Sequence, residues 1–136
     1  MILDSSAVIA VVLREPGFEE IAYKIADATT LAIGAPTLAE TAIVLENRMT
    51  GARSILVQFL HEWKVDIVPF GEAHWQEAVK AYVRFGKGRH ASGLNFGDCL
   101  AYATARLSRQ PLLCTGDDFS KSDIDVAQAS PDRTSP

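Results

Sequence analysis

Short, mostly apolar runs recur at positions 1–3, 31–33, 65–68 and 111–114, and the segments between them carry apolar residues at the spacing of a helix. Runs too apolar to alternate in polarity fit strands buried on both faces. The clearest helical stripe is Ile55, Leu56, Phe59, Leu60 and Trp63; others cover 18–28, 37–49, 73–85 and 96–108, and "SSAVIAVVL" after Asp4 can continue as a helix. A weaker apolar run at 124–126 would add a fifth strand. Strands alternating with helices pair in parallel, because a chain re-enters a sheet in the same direction only through a crossover. The expected fold class is therefore α/β, a three-layer α/β/α sandwich around a mostly parallel sheet of four to five strands. The 136 residues suit a single domain. Residues 1–127 are assigned to it, and 128–136, rich in Pro and Ser, to a flexible C-terminal tail.

Such folds bind ligands beyond the carboxyl ends of their strands. Asp4 directly follows the first run, so it stands at that edge or caps the helix that follows. Glu40 follows the second run, where Thr37-x-x-Glu40 also reads as a capping box. Asp98 falls in the first turn of a helix that Asn95 can cap, a position the helix dipole favours for a negative charge. Asp117 and Asp118 follow the last run in "TGDDF", where Gly-Asp is ordinary turn chemistry. Each carboxylate has a structural role available to it.

Brought into one crevice, they change character. Two like charges about 4 Å apart at an effective dielectric near 20 repel by roughly 4 kcal/mol, against about 1 kcal/mol gained from a cap. A converging set therefore needs a cation or partial protonation. Oxygen donors alone suit hard ions such as Mg²⁺ or Mn²⁺, which keep several waters and engage substrate phosphates. One or two ions so held can orient and activate water and neutralise charge as a phosphodiester is cleaved.

The segments "ILDSSA", "TLAE", "LNFGDCLAYATA" and "LLCTGDDF" with "SKSDI", in that order and over almost the whole chain, resemble a PIN domain of the VapC-toxin type. That resemblance implies a toxin of a toxin–antitoxin pair. Its activity would be that of a Mg²⁺- or Mn²⁺-dependent endoribonuclease that cuts structured RNA, of the tRNA or rRNA class, and so inhibits translation and growth. It also implies a homodimer, held inactive by a small VapB-like antitoxin that inserts a segment into the active-site groove. Matched by motif, the catalytic and metal-binding acids are Asp4, Glu40, Asp98 and one of the Asp117–Asp118 pair, with Asp117 favoured because it directly follows Thr-Gly. Asp118 then faces solvent or supports the site. Ser6, Asn95 and Thr115 are supporting candidates, with capping, turn formation and strand termination as their alternatives.

A net charge of −4 rules against whole-surface attraction to RNA, so contact must be local. "KAYVRFGKGRH" supplies Lys80, Arg84, Lys87 and Arg89, which are either a cationic rim beside the acids or a solvated helix end. It lacks the spacing of a Walker loop. The chain reads as cytoplasmic: the N-terminus lacks a basic region, Asp4, Arg14, Glu15 and Pro16 interrupt any signal-type core, and no apolar run nears the roughly 20 residues of a membrane helix. Cys99 and Cys114 lie in apolar segments and fit buried thiols. His61, His74 and His90 show no ligating spacing; Trp63 and Trp75 fit core or dimer-interface positions; Ala101, Ala103 and Ala105 fit close packing of the helix carrying Asp98.

Other classes fit less well. A phosphatase of the haloacid-dehalogenase type needs a second acid two residues after the first, where this chain has Ser6. A receiver-type phosphoacceptor needs paired acids at the first strand and a late lysine. A non-catalytic RNA- or protein-binding module of the same fold would be marked by loss of acids, and all are present here.

Overall fold

The computed structural model describes residues 1–127, and the tail assigned to 128–136 lies outside them. In chain order the elements are β1 (Ile2–Leu3), α1 (Ser5–Val12), α2 (Phe18–Asp27), β2 (Leu31–Gly34), α3 (Ala35–Glu46), α4 (Ala52–Glu62), β3 (Val65–Val68), α5 (Glu72–Phe85), α6 (Phe96–Ser108) and β4 (Leu112–Leu113). A short 3-10 turn follows at Phe119–Lys121. Among the described residues the strands form one all-parallel sheet in the order β3-β2-β1-β4, with the expected fifth run present only as a bridge between Val126 and Leu112.

Period-two side-chain alternation splits the core into the two outer layers. Ile2 and Leu112 point into a cluster with Ala81, Phe85, Leu94 and Tyr102 from the α5–α6 side. Leu3, Ile33 and Leu113 point into a second cluster with Val8, Ile25, Leu45 and Phe59 from α1 to α4. Paired residues share a face, because β1 and β4 run in register with Ile2 beside Leu112 and Leu3 beside Leu113. Ala101, Ala103 and Ala105 are all buried, so α6 packs closely, as expected.

The helix boundaries show which local signals prevailed. α6 begins at the position its capping residues predict, since Asn95 and Asp98 form a reciprocal box. α3 does not. It starts at Ala35, ahead of Thr37, because Gly34 turns out of β2 in an extended conformation and Pro36, which lacks an N–H, fits the first helical turn. Thr37 and Glu40 are therefore not a capping box: Thr37 is inside the helix, and its buried hydroxyl has no partner among the described residues. On α4 the buried face narrows to Ala52, Leu56 and Phe59, leaving Ile55 and Trp63 of the expected stripe exposed. Trp75 on α5 is likewise exposed and not part of the core.

Strand order fixes where a site can form. The chain steps from β1 to β2 to β3, then α5 and α6 carry it back across the sheet to β4 on the other side of β1. The direction reverses between β1 and β4, and in parallel sheets a ligand site forms beyond the carboxyl ends of the strands at such a reversal.

Candidate active site

Asp4 stands at that reversal. Its N–H donates to the Leu113 carbonyl of β4 at 2.9 Å, which ties the backbone there, and its side chain caps α1. Oδ2 accepts from the Ser6 N–H at 3.1 Å and the Ser6 hydroxyl at 2.6 Å. Ser6 Oγ in turn accepts from the Thr115 N–H at 3.0 Å, just past β4. Ser6 thus fixes the Asp4 carboxylate and couples it to the loop that follows. Thr115 contributes through its backbone. For Asp4 the capping role and the site role coincide in one geometry.

α6 runs against the strands, so its first turn returns to the same edge. Asn95 Oδ1 accepts from the Asp98 N–H at 2.8 Å while Asp98 Oδ2 accepts from the Asn95 N–H at 3.0 Å, which sets the Asp98 side chain. Glu40, one turn or more into α3, reaches across to this helix. A Cβ placed on Gly97 would come within 2.2 Å of Glu40 Oε2, so the missing side chain is the space the carboxylate occupies. Gly97 is a residue the motif reading passes over; a glycine in the first turn of an otherwise amphipathic helix is its only signal.

The electrostatics register the convergence. Asp4 is buried, and burial pushes its carboxyl up to about 6; the two Ser6 hydrogen bonds oppose this, and the charges of Asp98 and Glu40 add to it. Asp98 is raised first by burial, opposed by its Asn95 bond, and raised further by Asp118 and Glu40. Asp4, Glu40, Asp98 and Asp118 therefore share one field. Both acids of the Asp117–Asp118 pair are exposed, and Asp117 Oδ2 lies 3.9 Å from Lys121 Nζ. Between the paired acids, it is Asp118 that acts on Asp98.

The donor set is all oxygen, charged and partly dehydrated, which fits a hard divalent cation. Among the described residues no group of three or more His, Cys, Asp or Glu side chains is arranged to hold an ion by itself. One or two direct carboxylates with the remaining positions left to water, the usual Mg²⁺ arrangement, is what this geometry offers. Nearby Cys99 and Cys114 are buried free thiols pushed up to about 11 and about 12, chiefly by burial, and so are not nucleophiles.

The loop carrying Asp117 and Asp118 is anchored at its far end by Asp123. That carboxylate accepts from the Tyr102 hydroxyl on α6 and pairs with Arg84 at 3.2 Å and Arg106 at 3.7 Å. The four expected RNA-contacting cations therefore divide. Arg84 is held by Asp123 and lies over the Phe85 ring, and Lys80 lies along α5 in a cleft with Val79, Val83 and Tyr102. Lys87 and Arg89 occupy the loop between α5 and α6, exposed, ahead of the turn that presents Asp98. His74 and His90 are engaged in local hydrogen bonds with Gly71 and Ser92, respectively.

Comparison with known proteins gives a consistent result. The PIN domain family model matches residues 1–124. Ribonuclease VapC36 of Mycobacterium tuberculosis is 42% identical over 127 residues, covering 92% of this chain and 91% of that protein. Ribonuclease VapC of Mycolicibacterium smegmatis is 39% identical over 126 residues, covering 91% and 97%. Among solved structures, M. tuberculosis VapC20, described as a Sarcin-Ricin loop cleaving toxin, superposes with a TM-score of 0.76 at 16% identity over 93% of this chain and 98% of that one. A toxin–antitoxin complex from Klebsiella pneumoniae gives 0.69 at 17% identity over 93% and 95%.

Proposed function

We infer the function from one premise: this chain belongs to the PIN-domain family, among its VapC ribonucleases. It is an endoribonuclease and the toxin component of a toxin–antitoxin pair. The finer proposal is that it uses Mg²⁺ or Mn²⁺ to hydrolyse phosphodiester bonds in structured RNA of the tRNA or rRNA class. The observation that carries this is the buried Asp4 at the β1–β4 reversal, fixed by Ser6 and sharing its field with Glu40 and Asp98.

In this reading one or two of Asp4, Asp98, Glu40 and Asp118 would ligate the cation directly and the others through water, and the ion would neutralise their charge and polarise the phosphodiester. Ser6 and Asn95 keep Asp4 and Asp98 in their rotamers, so no reorganisation is needed when RNA arrives. Lys87 and Arg89 attract the backbone into a groove whose acids would otherwise repel it.

The test is an RNA-cleavage assay on the purified chain with Mg²⁺ or Mn²⁺. Cleavage is expected to stop with a chelator; cleavage that survives chelation would overturn the metal proposal. The same assay separates the paired acids. Asp118→Asn is expected to lower the rate by at least about ten-fold, as loss of a carboxylate bearing on the site does, and Asp117→Asn to change it less than about two-fold. The reverse ranking would restore Asp117 as the fourth acid.

An antitoxin partner follows from the toxin assignment. The homodimer we place on α5, where Trp75, Val79, Tyr82 and Val83 stay 51%, 53%, 42% and 54% exposed. Glu72 and Glu77 lie toward one end of this helix and Lys80 toward the other, so a two-fold antiparallel pairing sets acidic residues against a basic one. Light scattering should give twice the chain mass, and Val79→Asp the single-chain mass; a monomeric wild type would remove the proposal. No helix among the described residues is long and apolar enough to cross a membrane, and the free buried thiols support a cytoplasmic location.

A further inference from the structure

Phe96 is the most exposed large hydrophobic residue among those described, at 79%. A buried Phe contributes about 1.5–3 kcal/mol to a fold, and here that contribution is left in water. Its position is specific. It is the first residue of α6, between Asn95, which aligns Asp98, and Gly97, whose bare Cα accommodates Glu40. A polar residue there would serve the helix equally well.

The backbone of the basic loop is tied close to it in the chain. The Lys87 N–H donates to the Leu94 carbonyl at 2.9 Å, the Leu94 N–H donates to the Phe85 carbonyl at 2.9 Å, and Gly86 and Leu94 form a parallel bridge. The loop is thereby folded so that its basic segment is pinned two residues before Phe96. Arg89 is further placed by its guanidinium lying 5.5 Å from the Tyr82 ring centroid. An exposed ring that follows a basic loop and opens the helix carrying Asp98 is a combination that suits unpaired nucleotides: bases stack on a ring while cations take the phosphates.

We propose that Phe96 is a stacking platform for an unpaired base adjacent to the scissile phosphate, with Lys87 and Arg89 holding the neighbouring phosphates. This inference rests on the ribonuclease reading and deepens it by assigning the residue that holds a base next to the cut.

The test compares wild type, Phe96→Ala and Phe96→Trp as full chains on an RNA hairpin spanning a wild-type cleavage site mapped in total bacterial RNA. Phe96→Ala is expected to raise KM about ten-fold or more with kcat within about two-fold and an unchanged unfolding temperature, and Phe96→Trp to restore KM. In an Asp4→Asn background, which cannot cleave, the added indole should be quenched when the hairpin binds, after subtraction of the Trp63 and Trp75 signal. Equal KM values for wild type and Phe96→Ala, or no quenching, would overturn the inference and leave the ribonuclease reading intact. A change confined to antitoxin affinity or self-association would also overturn it, assigning the ring to a protein interface. A wild type that cleaves no RNA would end both.

Discussion

Asp4→Asn is expected to abolish RNA cleavage and at the same time make the domain harder to unfold. The activity loss should exceed the roughly 10- to 100-fold typical of a residue that only supports a ligand, because Asp4 supplies the most buried charge of the site. The gain in stability follows from the same burial. In the folded chain the carboxyl titrates near 6 instead of its ordinary 3.8. Between those values the folded state holds a proton that the unfolded state has released, so stability is highest below about pH 4 on this account and falls as pH rises through 6. A carboxyl that releases its proton about two pH units later in the folded chain costs at most about 3 kcal/mol once that window is passed. Asparagine is neutral throughout, and its amide oxygen still accepts both Ser6 bonds. Urea unfolding with a chelator should therefore show the wild type losing stability from pH 4 to pH 7 relative to the variant. The variant should be about 2 kcal/mol the more stable at pH 7. Adding Mg²⁺ should then raise the wild type more than the variant, by mass action on the state that binds it. A variant less stable than wild type at pH 7 would show that capping of α1 outweighs the cost of the buried charge, and a variant that still cleaves RNA would remove Asp4 from the site.

Gly97→Ala should separate activity from folding. Alanine at a helical position is normally favourable over glycine by about 0.5–1 kcal/mol, so α6 itself gains. The added methyl, however, would sit 2.2 Å from Glu40 Oε2 and 3.0 Å from its Cδ. What it meets is the free end of a flexible side chain, which can swing away without disturbing backbone. The expected result is a well-folded chain with cleavage reduced at least about ten-fold. Adding Glu40→Gln to it should reduce cleavage little further, because both changes remove the same carboxylate from the same place. Wild-type activity in Gly97→Ala would show that the position of Glu40 against α6 is not used.

How far the site could be read along the chain depended on the range of the forces involved. The start of α6 was legible because Asn95 and Asp98 bond to each other three residues apart, and Asp4 with Ser6 similarly. The start of α3 was not, because Thr37 and Glu40 have the spacing of a capping box while Gly34 and Pro36 set the boundary instead. Arg84 looked free to meet RNA; only the fold shows it paired with Asp123, far along the chain. The run at 124–126, the weakest of the five, pairs through a single bridge between Val126 and Leu112.

The sequence by itself determined the alternation of elements, the order of the candidate acids, and the short-range bonds that aim two of them. These are contacts within a few residues, where connectivity alone keeps the groups close. Only the tertiary structure shows that Asp118 raises the Asp98 carboxyl, that Glu40 fills the space over Gly97, and that Phe96, beside Asn95 and Gly97, faces solvent. Burial and long-range Coulomb interaction have no value until the strand order β3-β2-β1-β4 brings residues 4, 40, 98 and 118 to one edge of the sheet.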